Sequence, residues 1–195
     1  MAQTLYDQKV LDAAIIERDL IEQLLQRLGT SPEIVIDNVA PLLKPYIKPV
    51  LLSDKEYVQQ WETTEFIRKE PMKNSPFVTK KGEVVRSKSE LLIADRLNDM
   101  NIPYRYEAEL ILGSYILHPD FTILDVKHRR EVYFEHLGRM DDLGYVKDNM
   151  DRLNIYQRNN IILGDRLFIS METIRYPLDL TYITNSLARF ARDSQ

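Results

Sequence analysis

The chain has 195 residues, with 26 Lys and Arg against 30 Asp and Glu for a net charge of −4, a hydrophobic fraction of 44% and no cysteine. This is ordinary globular composition, which excludes disordered and fibrous classes and fits one substantial domain with a small appendage. The absence of Cys removes disulfide scaffolds, thiolate metal sites, iron–sulfur clusters and cysteine nucleophiles. No run approaches the roughly 20 apolar residues of a membrane helix, and no apolar secretion-signal core opens the sequence. A cytoplasmic protein without membrane contact is therefore expected. Only His118, His128 and His136 are available as imidazole ligands, so any metal must be held by carboxylates, which selects a hard cation such as Mg²⁺.

Over residues 7–28, Val10, Leu11, Ala14, Leu20, Ile21 and Leu24 recur at helical spacing with Glu22, Gln23 and Arg27 opposite, predicting an amphipathic helix. Gly29 is a natural stop, and Ser31-Pro32-Glu33 reads as the cap and first turn of a second helix. Pro41, Pro45 and Pro49 make 41–52 irregular, and a third helical piece is expected over 53–66. Residues 1–66 thus form a helical segment, serving either as a cap on the rest or as an arm for a homodimer. Across 68–88, seven basic residues face Glu70 and Glu83, a local net of +5. The span 67–86 reads as a basic connector, a solvated surface or a holder of phosphate backbones.

From 87 onward, to 195, the pattern becomes regular. Ser87 or Ser89 can cap a helix over 88–99, which Asn101-Ile102-Pro103 ends. Strands are predicted at Tyr104–Leu112, Tyr115–Leu124 and Glu131–Leu137, joined by short turns and hence antiparallel. A helix over 143–158 with Val146, Met150 and Leu153 inward, a strand at Arg166–Met171 and a helix near 179–192 complete the chain. The order α-β-β-β-α-β defines an α/β (α+β) sandwich, helices packing on a central sheet.

Asp120 and Glu135 sit within apolar strand sequence, where a carboxylate is costly unless paired. On adjacent antiparallel strands they can face each other and form the oxygen-rich cradle that a divalent cation requires, with Glu90 on the preceding helix. Two plainer readings stand beside this one: Asp120 as a turn residue after Pro119, and Glu135 as the partner of an arginine.

His118-Pro119-Asp120-Phe121 followed by Phe134-Glu135-His136-Leu137-Gly138, behind a helix opening Arg86-Ser87-Lys88-Ser89-Glu90, resembles the PD-(D/E)XK nuclease superfamily over about residues 86–172. The resemblance implies a restriction-endonuclease-like core with a central mixed sheet, and Mg²⁺- or Mn²⁺-dependent hydrolysis of DNA, endonucleolytic in mode. It makes Asp120 and Glu135 the metal ligands and Glu90 an accessory ligand. Lys80, Lys81, Arg86 and Lys88 would then contact phosphate. Leu137 departs from the pattern, because it stands where the family has lysine, on the face of Glu135. His136 points to the other face and reads as a packed histidine, while His118 shares the Asp120 face. The family sometimes supplies the basic group from the next helix. Lys147 is the first candidate there, then Arg152, with Lys88 a third, and Lys147→Ala is expected to abolish cutting. Without such a group the fold would bind nucleic acid or protein without cleaving. Tyr104, Tyr106, Tyr133, Tyr145 and Tyr156 are assigned to core and rim.

Overall fold

A computed structural model describes residues 2–28, 39–43, 46 and 52–191. The chain divides into two compact units, Met1–Tyr57 and Val58–Gln195. In the first, helix α1 runs over Ala2–Leu28. The helix expected to start at Ser31 lies outside the described residues. Helix α2, Asp54–Thr63, opens on a capping box in which Ser53 Oγ and its backbone N–H both donate to Glu56 Oε2, at 2.7 and 3.0 Å. Among the described residues, no helix is long and apolar enough to cross a membrane.

The second unit is mixed α/β, with a central mixed sheet flanked by helices. Helix α3 spans Lys88–Asp99, and its N-cap is Ser87, whose hydroxyl accepts from the Glu90 amide at 3.1 Å. The first strand expected from sequence breaks into β1, Tyr104–Tyr106, and β2, Leu110–Leu112. The break falls at Glu107, which adopts a φ of +48°, the left-handed region in which no strand continues. The second breaks into β3, Tyr115–Leu117, and β4, Phe121–Asp125, where Pro119 has no N–H to give a ladder. Then come β5, Arg130–Leu137, helix α4, Leu143–Arg158, β6, Leu167–Met171, and helix α5, Leu180–Leu187, with a 3₁₀ turn over Ala188–Phe190. The sheet order is β1-β4-β5-β6, antiparallel except for β5 and β6, which α4 joins as a parallel crossover. Strands β2 and β3 form a separate hairpin closed by Gly113 at a φ of +60°.

Phe121, Ile123, Val132 and Phe134 bury one sheet face against Ile93, Ala94 and Leu97 of α3 and Ile183 and Leu187 of α5. Tyr133 and Leu167 bury the other against Tyr156 and Leu153 of α4, joined by Leu110, Leu112 and Leu117 of the hairpin. The basic span expected as a connector folds onto this unit. Arg68 bridges to Ala108, Val78 to Val84, and Arg86 Nε donates to Glu107 Oε1 at 2.6 Å.

Candidate metal centre

Antiparallel register decides the first feature of the site. Phe121 pairs with Phe134 and Thr122 with Tyr133, so the next step outward sets Asp120, just beyond the end of β4, opposite Glu135 on the face covered by α4. The Asp120 amide donates to Glu135 Oε2 at 3.4 Å, and the His136 amide donates to Asp120 Oδ2 at 2.7 Å. Helix α4 supplies the rest. From Arg152, Nε donates to Glu135 Oε1 at 2.8 Å, Nη2 lies 2.7 Å from the same oxygen, and Nη2 also donates to the His118 carbonyl. One turn on, the hydroxyl of the fully buried Tyr156 donates to Glu135 Oε1 at 2.5 Å. Both anchors therefore hold Oε1, leaving Oε2 on the Asp120 side. Asp120 Oδ1 accepts no hydrogen bond from the described residues, and His118 Nδ1, two residues earlier in sequence, is buried without a hydrogen-bond partner.

Two carboxylates and one guanidinium leave a net negative charge in a desolvated place. Burial, then the charge of Glu135, hold the Asp120 carboxyl well above its ordinary range, against the His136 N–H. Burial also raises Glu135, although Arg152 and Tyr156 oppose it. Burial works against the charge of Arg152, but the carboxylate of Glu135 outweighs it and pushes that guanidinium up. Burial and Glu135 likewise push up Tyr156.

The structure brings Asp120, Glu135 and Arg152 together but leaves Glu90 more loosely joined. Glu90 Oε2 accepts from Tyr106 at 2.6 Å and from the Arg86 amide at 2.9 Å, near enough for its charge to act on Asp120. Among the described residues no three His, Asp or Glu side chains form a ready-made metal cluster. Lys147 is exposed and joins none of these carboxylates. It lies five residues before Arg152, and at about 100° per residue the two stand about 140° apart around the helix. Lys80 Nζ is bound to Asp99 at 2.7 Å, Lys81 Nζ lies over the Tyr104 ring at 4.3 Å, and Arg86 is bound to Glu107, so these three charges are engaged within the chain. Lys88 is exposed at the start of α3. Leu137 is buried on the Glu135 face, and His136 faces the other side, its Nδ1 2.8 Å from Ser170 Oγ.

Sequence reasoning passed over the tyrosines. Tyr156 and Tyr106 each hold one acid of the site, and Tyr145 accepts from the Gly138 amide at 3.1 Å where β5 ends. The legible signal was the spacing of Arg152 and Tyr156, four residues apart and so on one helix face. No protein-family model and no curated protein matches this chain, so what the site can do is argued from its geometry.

Proposed function

We propose that the protein is a Mg²⁺- or Mn²⁺-dependent phosphodiesterase acting on DNA, with a core of the PD-(D/E)XK kind. The observation that carries this reading is the pairing of Asp120 and Glu135 across β4 and β5 with one oxygen of each turned free of strong partners. The donor set fits Mg²⁺, which is commonly held by one or two carboxylates together with water and substrate phosphate. The α-β-β-β-α-β order adds support once the β2–β3 hairpin is set aside as an insertion.

In this reading Asp120 and Glu135 would hold the cation, with Glu90 assisting from α3. A cation held there would supply Lewis acidity for an attacking water and offset charge on the scissile phosphate. Arg152 takes the role first expected of Lys147. It stays protonated at any working pH, so it serves by placing fixed positive charge against the phosphate and by holding Glu135 Oε1, not by accepting a proton. Tyr156 restrains the same oxygen. Lys88 is the basic residue left to meet the DNA backbone. Leu137 favours a second reading, a nuclease-like fold that binds nucleic acid or protein without cutting; it predicts metal binding with no product.

Cleavage of plasmid and oligonucleotide DNA with Mn²⁺ separates the two, comparing the natural chain with Asp120→Ala and Glu135→Ala. Activity is expected in the first and lost in both variants; activity that survives both substitutions rejects the site. A pH dependence follows from the raised carboxyls. Protons must leave for the cation to bind, so Mn²⁺ affinity falls as pH drops, beginning above the ordinary carboxylate range. Without metal the sign reverses. A carboxyl raised by folding adds stability below its unfolded pKa and loses that contribution as pH rises through its folded value. The gap in melting temperature with and without Mn²⁺ is therefore expected to widen as pH rises above the ordinary carboxylate range. A constant gap contradicts the assignment.

A further inference from the structure

Two acids of the proposed site have sequence neighbours that reach one oxygen of a fourth acid, Glu172, just after β6. Ser89, beside Glu90 on α3, donates its hydroxyl to Glu172 Oε1 at 2.7 Å. His136, beside Glu135 on β5, places Nε2 3.2 Å from that same oxygen, in close contact without the alignment of a hydrogen bond. Glu172 Oε2 accepts the Leu178 amide at 2.9 Å. The backbone of Glu172 is tied down as well: its N–H donates to the Leu137 carbonyl at 3.0 Å, and its carbonyl accepts from Met140 at 3.2 Å. Partial burial works against the charge of Glu172, but Ser89, His136 and the Leu178 amide outweigh it and hold the carboxyl below its ordinary range. Gly138 borders the contact, and a Cβ there would stand in ordinary van der Waals contact with His136 Nε2 at 3.4 Å and Glu172 Oε1 at 3.5 Å.

We propose that Glu172 is a positioning residue that clamps the helix carrying Glu90 to the strand carrying Glu135, from the sheet face opposite Glu135, and thereby fixes the carboxylate oxygens that would share the cation. Three links make the connection. Ser89 fixes the first turn of α3, where Glu90 is bound to Tyr106 and the Arg86 amide. His136 is held through its ring by Glu172 and Ser170, and its backbone N–H is the group that orients Asp120 Oδ2. A shift of His136 along the strand would therefore move Glu135 and loosen Asp120 together. Glu172 touches neither substrate nor cation; it acts through residues that do.

The inference rests on the proposed metal site, and Mn²⁺ binding separates their failures. Mn²⁺ titration of the full chain by calorimetry is compared for the natural protein, Glu172→Ala, Glu172→Gln and Ser89→Ala, with melting temperature recorded separately. Substituting groups that orient metal ligands commonly weakens affinity about 10–100-fold. Glu172→Ala is expected in that range and Ser89→Ala near its lower end. Glu172→Gln keeps an acceptor for Ser89 and should recover most of the affinity. The double variant Ser89→Ala/Glu172→Ala should bind no worse than Glu172→Ala, because both break one clamp. Affinity within about twofold of the natural chain in Glu172→Ala overturns the clamp, as does an additive loss in the double variant. Should Glu172→Ala fail to fold, unchanged Mn²⁺ affinity in Ser89→Ala overturns it instead. If the natural chain itself binds no Mn²⁺, the metal site fails and the clamp with it.

Discussion

Replacing Asp120 with Asn is expected to raise the melting temperature of the metal-free protein while abolishing both its stabilisation by Mn²⁺ and its cleavage of DNA. The substitution keeps an acceptor for the His136 amide, at present 2.7 Å from Oδ2. It removes one of two carboxylates that burial and mutual repulsion already disfavour. Relief of about 1–2 kcal/mol would raise the melting temperature about 3–6 °C in a chain of this size. Stability and activity moving in opposite directions is the mark of a functional carboxylate kept at the expense of the fold. On the catalytic side, loss of a cation that contributes several kcal/mol at the transition state lowers the rate about 10³-fold or more. Calorimetry with and without Mn²⁺ checks the first part. A metal-free Asp120→Asn protein less stable than the natural chain would mean that the Asp120 charge is compensated by the fold alone.

Arg152→Met should act in the opposite direction on stability. Arg152 is the cation paired with Glu135, which is buried, and removing one member of a buried pair costs about 3–5 kcal/mol. The Arg152 side chain is 30% exposed, so the lower figure applies, with solvent screening taking some of it. A fall of about 6–12 °C in melting temperature is expected. Mn²⁺ should restore part of this, because a cation at the carboxylates replaces the missing positive charge, and the Mn²⁺-induced shift in Arg152→Met should exceed that of the natural chain. Arg152→Lys keeps the charge but not the guanidinium that reaches Glu135 and the His118 carbonyl together, and should fall between them. Lys147→Ala, on the far side of α4, should leave melting temperature and cleavage within about twofold of natural values. Loss of cleavage in Lys147→Ala with Arg152→Met still active would return the basic role to Lys147.

The opposition of Asp120 and Glu135 was legible because two short antiparallel strands joined by a tight turn leave little freedom of register. The helix over 88–99 was legible because Ser87 caps it, and the helix over 143–158 because its apolar residues recur at helical spacing. The broken strands were not, since the positive φ of Glu107 depends on tertiary contacts: its carboxylate is buried against Arg86 and Lys69. The inward face of α4 was read only in part: Leu153 packs against the Tyr133 cluster as expected. Met150, read as core, is 42% exposed, while Tyr156 is fully buried. Turning the helix toward Tyr156 carries Arg152 to the carboxylates and Lys147 away from them. A single stripe of three apolar residues does not fix that rotation; the tyrosine hydroxyl seeking a buried acceptor does. The local net of +5 before α3 was similarly visible as charge but not as pairing, because Asp99 and Glu107, which neutralise Lys80 and Arg86, are distant in sequence.

Every step of the proposed chemistry depends on one cation shared by Asp120 and Glu135. Crystals of the full chain soaked in Mn²⁺ and measured near the manganese absorption edge test this directly. The account predicts an anomalous peak within coordination distance of both the Asp120 and the Glu135 carboxylates, lost in Asp120→Asn. No peak there, or the two carboxylates too far apart to share an ion, would contradict it.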